Sequence, residues 1–250
     1  MFALFIFVCA CDKPSYPKEN LAESLEMLVK KDCNEDSQAR IVGKTLYLDM
    51  QLDGLTSNDQ AKVSEAIKKM QRAVMAITRV VLSSDSEIKY MVVSTFNEDK
   101  SVAFRILQNI EDVKGYFYMR ISREDYDSRS LLEIEGPYTA KAALEDYHDI
   151  SDEEYVGRLI VSQISMAARS NPFLGALIST LQLRYMNTKD GIFYILVAGT
   201  VDSKVKDFLE SLVYEETNKY VKKYSLETAD VRLIDQNGVL VMNIPLEQNM

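Results

Sequence analysis

Thr45-Leu46-Tyr47-Leu48-Asp49-Met50-Gln51-Leu52 alternates without a break, with Leu46, Leu48, Met50 and Leu52 on one face and Tyr47, Asp49 and Gln51 on the other. A period of two sustained in this way is the pattern of a half-buried β-strand. Gly54 ends it, and Ser57-Asn58-Asp59-Gln60 supplies a capping box for a following helix. Val63, Ile67, Met70, Val74, Ile77 and Val81 then recur at steps of four and three, which predicts one apolar helical seam. A strand is expected over 88–96, a turn at 97–100 and a further strand over 102–107.

The same order returns near the other end of the chain. Residues 192–198 read as a strand, Gly199 as its break, and Asp202 as the N-cap of a helix reaching about Tyr224. Strands over 231–234 and 239–244 pair across Asn237-Gly238, a dipeptide that favours a type I′ hairpin. Both stretches are β-α-β-β, so the chain reads as an α+β protein with a duplicated architecture. Its sheets are mainly antiparallel, its long amphipathic helices pack on one face, and further helices connect the two units. An earlier helix is expected over 21–31, and a hairpin over 181–186 and 192–198 turning at Asp190-Gly191.

A second repeat is closer in residue identity. Ile121-Ser122-Arg123-Glu124-Asp125-Tyr126 and Ile150-Ser151-Asp152-Glu153-Glu154-Tyr155 match at Ile, Ser, Glu, an acid and Tyr, with Arg129 and Arg158 each following the tyrosine. Both read as helix starts with a serine cap and acids at the positive helix end. The second begins a helix over 151–170 that buries Tyr155, Leu159, Ile160 and Ile164. Asn171 then caps a short apolar helix opened by Pro172 and running over 173–179.

The net charge of −9 is concentrated: between Glu133 and Glu154 stand eight acids against the single base Lys141. With no basic stripe elsewhere, the composition excludes a nucleic-acid binder of the usual electrostatic kind. No later apolar run is long enough to span a bilayer, since 173–183 is broken by Gly175, Ser179, Thr180 and Gln182.

At the start of the chain, the apolar run 2–10 leads into Val8-Cys9-Ala10-Cys11. The run is too short to cross a membrane but suits the apolar region of a signal peptide. This stretch resembles the lipobox of bacterial lipoprotein precursors. In that family the peptide is cut before the cysteine, whose thiol is diacylated, so the resemblance implies lipidation of Cys11. It also implies a cell-envelope location facing the periplasm and membrane attachment through the lipid. Ile41 to Leu46, Thr78 to Asp85 and Ile121 to Arg129 are similar to uncharacterised envelope lipoproteins of Gram-negative bacteria, a likeness covering roughly residues 1–135 with no activity attached.

The expected organisation is a signal peptide over 1–10, a lipidated tether over 11–20, an N-terminal α+β unit over 21–135 and a C-terminal α+β unit over 136–250. The tether holds Pro14 and Pro17 among polar residues and should pack against nothing. On this reading Cys33 is left without a disulfide partner, and no histidine or basic cluster stands beside it to lower its pKa.

Catalytic chemistry is sparse. His148 is the one histidine, and no His-Glu-x-x-His, Cys-x-x-Cys, Gly-x-Ser-x-Gly or P-loop occurs. The densest local candidate is Glu145, Asp146, His148, Asp149, Asp152 and Glu153, whose hard ligands suit a divalent cation but lack EF-hand spacing. A solvated linker ending in a helix N-terminus accounts for the same residues. Tyr116, Tyr118, Tyr126, Tyr138, Tyr147 and Tyr155 read as core or packing rim, or as a carbohydrate or protein contact. No cofactor is expected. The resulting expectation is a non-catalytic, lipid-anchored envelope protein that binds a partner or itself, for which short sheets offer edges for β-augmentation. The alternatives are a small-molecule or cation-binding lipoprotein and a hydrolase using paired carboxylates.

Overall fold

A computed structural model describes residues 15–170, 182–199, 201, 203–227 and 230–246. The signal segment with Cys11, the helix expected over 173–179 and the Asp202 cap lie outside these residues. The chain divides into two compact units, residues 1–126 with 132–149, and 127–131 with 150–250. The boundary expected at 135/136 thus shifts: residues 136–149 belong with the first sheet, whose outward face they line.

In the first unit a 3-10 turn, Lys18–Asn20, leads into helix α1, Leu21–Cys33. Leu21, Leu25, Val29 and Cys33 form its buried stripe at steps of four. The expected tether is shorter than 11–20. Ser15 donates its N–H to the Ser83 carbonyl, Tyr16 packs on the core, and Lys18 N–H bonds Asp85.

Strands β1, Ser37–Val42, and β2, Thr45–Gln51, form a hairpin across Gly43-Lys44. Helix α2, Gln60–Leu82, carries the chain over to β3, Tyr90–Phe96, which pairs parallel with β2. Strand β4, Ala103–Asn109, returns antiparallel, and β5, Leu131–Glu135, completes a sheet ordered β1-β2-β3-β4-β5. Between β4 and β5 lie α3, Ile110–Phe117, and α4, Arg123–Ser128; α5, Ala140–Glu145, follows β5.

Leu46, Leu48, Met50, Met91 and Val93 point to α1 and α2 and build the core. Each such fully buried aliphatic side chain stabilises the fold by about 1.5–3 kcal/mol. The predicted α2 seam is rotated: Ile67 is exposed, while Ala66, Ala73, Ala76, Ile77, Val80 and Val81 are buried. Small residues line the packed face because α1 lies against it, with Cys33 Sγ 3.6 Å from the Lys69 carbonyl. Asp59, rather than Ser57, caps α2 by accepting from Ala61 N–H.

The second unit repeats the plan. Helix α6, Asp152–Ser170, precedes the hairpin of β6, Gln182–Lys189, and β7, Ile192–Ala198. Helix α7, Ser203–Tyr224, crosses to β8, Asp230–Ile234, parallel to β7, and β9, Leu240–Pro245, returns antiparallel. Each unit therefore contains α-β-β-α-β-β, a longer repeat than the expected β-α-β-β. Tyr155, Leu159, Ile160 and Ile164 of α6 are all buried. The Tyr185 ring lies so close to Gly157 that a Cβ there would sit 2.3 Å from it.

The turn Asp190-Gly191 has both φ values positive, as a type I′ hairpin requires. Asn237-Gly238 does not: only Gly238 has positive φ, and Asp235 bonds both Val239 and Gly238 through its backbone. The Asp235 carboxylate also accepts from Asn237 and Val239 N–H, which selects a three-residue loop instead. No helix among the described residues is long and apolar enough to cross a membrane.

Candidate functional site

The first sheet carries a polar row on the face away from α1 and α2. Strand register places Asp49 of β2 beside Ser94 of β3, and Ser94 beside Arg105 of β4. Their relative exposures are 7%, 2% and 4%, so a carboxyl and a guanidinium are both buried on what an isolated hairpin would leave wet. The Tyr147 hydroxyl donates to Asp49 Oδ2. Arg40 of β1 lies over the Tyr147 ring, 3.7 Å from its centroid, a cation–π contact.

Burial holds the Asp49 carboxyl above its ordinary range, outweighing hydrogen bonds from Tyr147 and Ser94 and the charges of Arg40 and Arg105. Burial and the neighbouring Asp49 push the Tyr147 phenol up as well. Asp49 Oδ1 and Arg105 Nε are buried without a hydrogen-bond partner.

The segment after α5 holds this row shut. Tyr47 of β2 donates to the His148 carbonyl at 2.6 Å, and His148 N–H reaches back to the Tyr47 oxygen at 3.2 Å. The rings of Tyr47 and Tyr147 meet edge to face at 5.2 Å. Asp149 accepts from Lys44 N–H at 2.8 Å and from the Thr45 hydroxyl at 3.4 Å. Ala140 and Leu144 of α5 pack with Ala103 and Phe96 in a small apolar cluster.

A carboxyl with a raised pKa beside a phenol has the ingredients of a proton-transfer pair. Here both are engaged with each other and shut in by the sheet. The arrangement closes the fold.

The predicted cation ligands are only partly brought together. Asp146 Oδ1 contacts His148 Nδ1 at 2.9 Å, whereas Asp149 is committed to the β1–β2 hairpin. Glu145 ends α5, and Asp152 and Glu153 open α6 in the second unit. Among the described residues no three His, Cys, Asp or Glu side chains converge as a metal site requires. The second buried carboxyl, Asp112, lies in the first turn of α3, where the helix dipole favours it. Cys33 is buried, and burial followed by Asp32 raises its thiol pKa, so it is not a poised nucleophile.

The tyrosines divide. Tyr155 is buried, Tyr116 stacks on Tyr126 at 4.6 Å, and Tyr118 and Tyr138 are exposed. Ser122 and Ser151 do cap α4 and α6, accepting from Asp125 and Glu154 N–H.

The second sheet contrasts with the first. Phe193, Ile195 and Val197 point inward to α6 and α7, leaving Ile192, Tyr194, Leu196 and Ala198 on the outward face. Register sets Leu196 beside Ile234, and Ile234 beside Leu240, which is 53% exposed. Tyr194 lies beside Arg232, whose Nη1 donates to the Tyr194 hydroxyl at 3.2 Å and whose Nε donates to Asn243 at 3.0 Å. No described element of the second unit packs on this face. Residues 192–198 are apolar or aromatic at every position, so the sequence does not tell which of the two faces of β7 the helices cover. The chain matches no protein-family model, no curated protein and no solved structure.

Proposed function

We propose that the chain is a lipid-anchored cell-envelope protein, attached through Cys11, whose α+β body serves a protein-interaction or assembly role. The anchor half of this reading is supported by the apolar run and the lipobox-like Val8-Cys9-Ala10-Cys11. The interaction half is carried by one observation: no element among the described residues of the second unit covers the outward face of its sheet, which carries Leu196, Ile234 and Leu240, while the matching face of the first is closed by residues 140–149. Open apolar faces on a folded unit mark sites of association. The edge strands β6 and β9 add unpaired backbone beside it.

Crosslinking of the full-length protein in native membranes tests this. The reading predicts a discrete adduct with an envelope protein or with a second copy. A protein that stays monomeric and yields no adduct contradicts it.

A further inference from the structure

The second strands of the two hairpins, β2 and β7, correspond position by position because each hairpin has a two-residue turn, although β6 carries a bulge between Tyr185 and Asn187 that β1 lacks. Counted from Gly43-Lys44 and Asp190-Gly191, Tyr47 corresponds to Tyr194, Asp49 to Leu196 and Ser94 to Ile234. Where the first sheet carries a buried polar row, the second thus carries Leu196, Ile234 and Leu240. The first row is closed by a short helix ending at Glu145 and an extended acidic stretch containing Asp146, Tyr147 and Asp149. The aromatic ring of that stretch sits over the sheet, and Asp149 reaches the turn beside Gly43.

The charge of the open face complements a covering segment of the same kind. Arg184, beside Leu196, and Lys189, beside Ile192, are exposed on it, and Arg232 stands at its centre. Asp230 is the only acid that the strand register places there. No ion pair among the described residues engages Arg184, Lys189 or Arg232. Three cationic side chains beside Leu196, Ile234 and Leu240 stand out in a chain of net charge −9.

We propose that the outward face of β6–β9 docks a short acidic segment of a partner protein, with an aromatic or aliphatic side chain seated on Leu196, Ile234 and Leu240. This rests on the interaction reading above and specifies its partner. The anchor replaces what Tyr147 does on the first sheet. It needs no hydroxyl, because no carboxyl lies beneath it. Carboxylates of the segment meet Arg184, Lys189 and Arg232, which favours encounter and rejects basic segments.

The test uses a displayed library of random short peptides panned against the purified protein. Enriched sequences should be rich in Asp and Glu around one large apolar residue, and their binding should weaken with added salt. Leu196→Glu should weaken the selected peptide at least about tenfold, the effect of losing a buried anchor contact. Arg184→Glu, on an exposed side chain that leaves folding alone, should weaken it several-fold, and Asp49→Asn should leave it unchanged.

Enrichment of basic or purely polar peptides overturns the proposal. So does binding unaffected by Leu196→Glu and Arg184→Glu, or a Leu196→Glu effect limited to self-association of the protein. A photo-crosslinker at Leu240 separates this claim from the broader one. If membranes yield a partner adduct from other positions but none from Leu240, the interaction reading stands and this surface assignment falls.

Discussion

Tyr147 donates its phenol hydrogen to Asp49, a residue 98 positions earlier in the chain, on the face of β2 turned away from the helices. That bond ties the acidic segment after β5 back onto the first sheet. It also explains how a carboxyl comes to be buried where the strand pattern alone would leave it half in water.

Replacing Tyr147 by Phe keeps the ring against Tyr47 and Arg40 but removes the donor. A buried acceptor left unsatisfied costs about 1–3 kcal/mol. The variant should lose stability in that range by urea unfolding while keeping its secondary structure. A loss below about 0.5 kcal/mol, the level of an ordinary surface substitution, would mean the bond carries little weight.

The raised pKa of Asp49 sets the sign of a pH effect. A carboxyl that binds its proton more readily folded than unfolded adds stability at low pH, and that contribution is lost as pH rises through the folded pKa. The stability of the wild type relative to Asp49→Asn should therefore increase as pH falls from neutral towards about 4, the unfolded carboxylate range. Parallel unfolding curves for both proteins across that interval read the difference directly. A difference that stays flat, or widens in favour of the wild type as pH rises, would contradict the assignment of burial as the dominant cause.

Gly43 is required twice over. Its φ of +58° disfavours any side chain, and a Cβ there would sit 2.2 Å from the Asp149 carboxyl. Gly43→Ala should destabilise by roughly 1–2 kcal/mol from backbone strain alone, and by more from the collision. Adding Asp149→Ala should recover the collision part and leave the strain. Thermal unfolding of the two variants resolves the parts; no recovery would show that Asp149 does not press on the hairpin.

Gly157 puts two effects in opposition. Within α6, alanine is favoured over glycine by about 1 kcal/mol of helix propensity. A Cβ 2.3 Å from the Tyr185 ring must displace that ring, and overpacking a packed site costs about 1–3 kcal/mol. The collision should win, so Gly157→Ala lowers the melting temperature of the second unit. Combining it with Tyr185→Leu should turn the alanine from harmful to neutral or better. A stabilised single variant would show that the helix and β6 separate easily.

The strong local patterns translated directly into structure. The apolar face of β2 and the stripe of α6 appear where the residues put them, but the other face of β2, expected to be wet, is buried as well because Tyr147 and His148 bond to it. Strand β5 carries its alternation inverted. Leu132 and Ile134 alternate with Glu133 and Glu135, but the two apolar side chains are the exposed ones, so the pattern does not mark the face turned to the protein. Helix α5 is under two turns long and alanine-rich, too brief for a period to emerge. The polar row was out of reach for a different reason. Asp49 and Tyr147 are each unremarkable locally, and only the return of the chain over the sheet makes them partners. At Asn237-Gly238 the turn dipeptide was overruled by the Asp235 side chain, which holds two backbone N–H groups of a longer loop.

The proposed attachment of this α+β body to a membrane rests on Cys11. A diacylated cysteine buries many CH₂ groups at about 0.8 kcal/mol each, enough for stable attachment where one chain would be marginal. Metabolic labelling with radioactive palmitate, followed by membrane fractionation of the wild type and Cys11→Ala, measures this directly. The wild type should take up label and stay with the membranes in high salt, and the variant should do neither while its circular dichroism is unchanged. A Cys11→Ala protein that still takes up label or still resists salt extraction would contradict it.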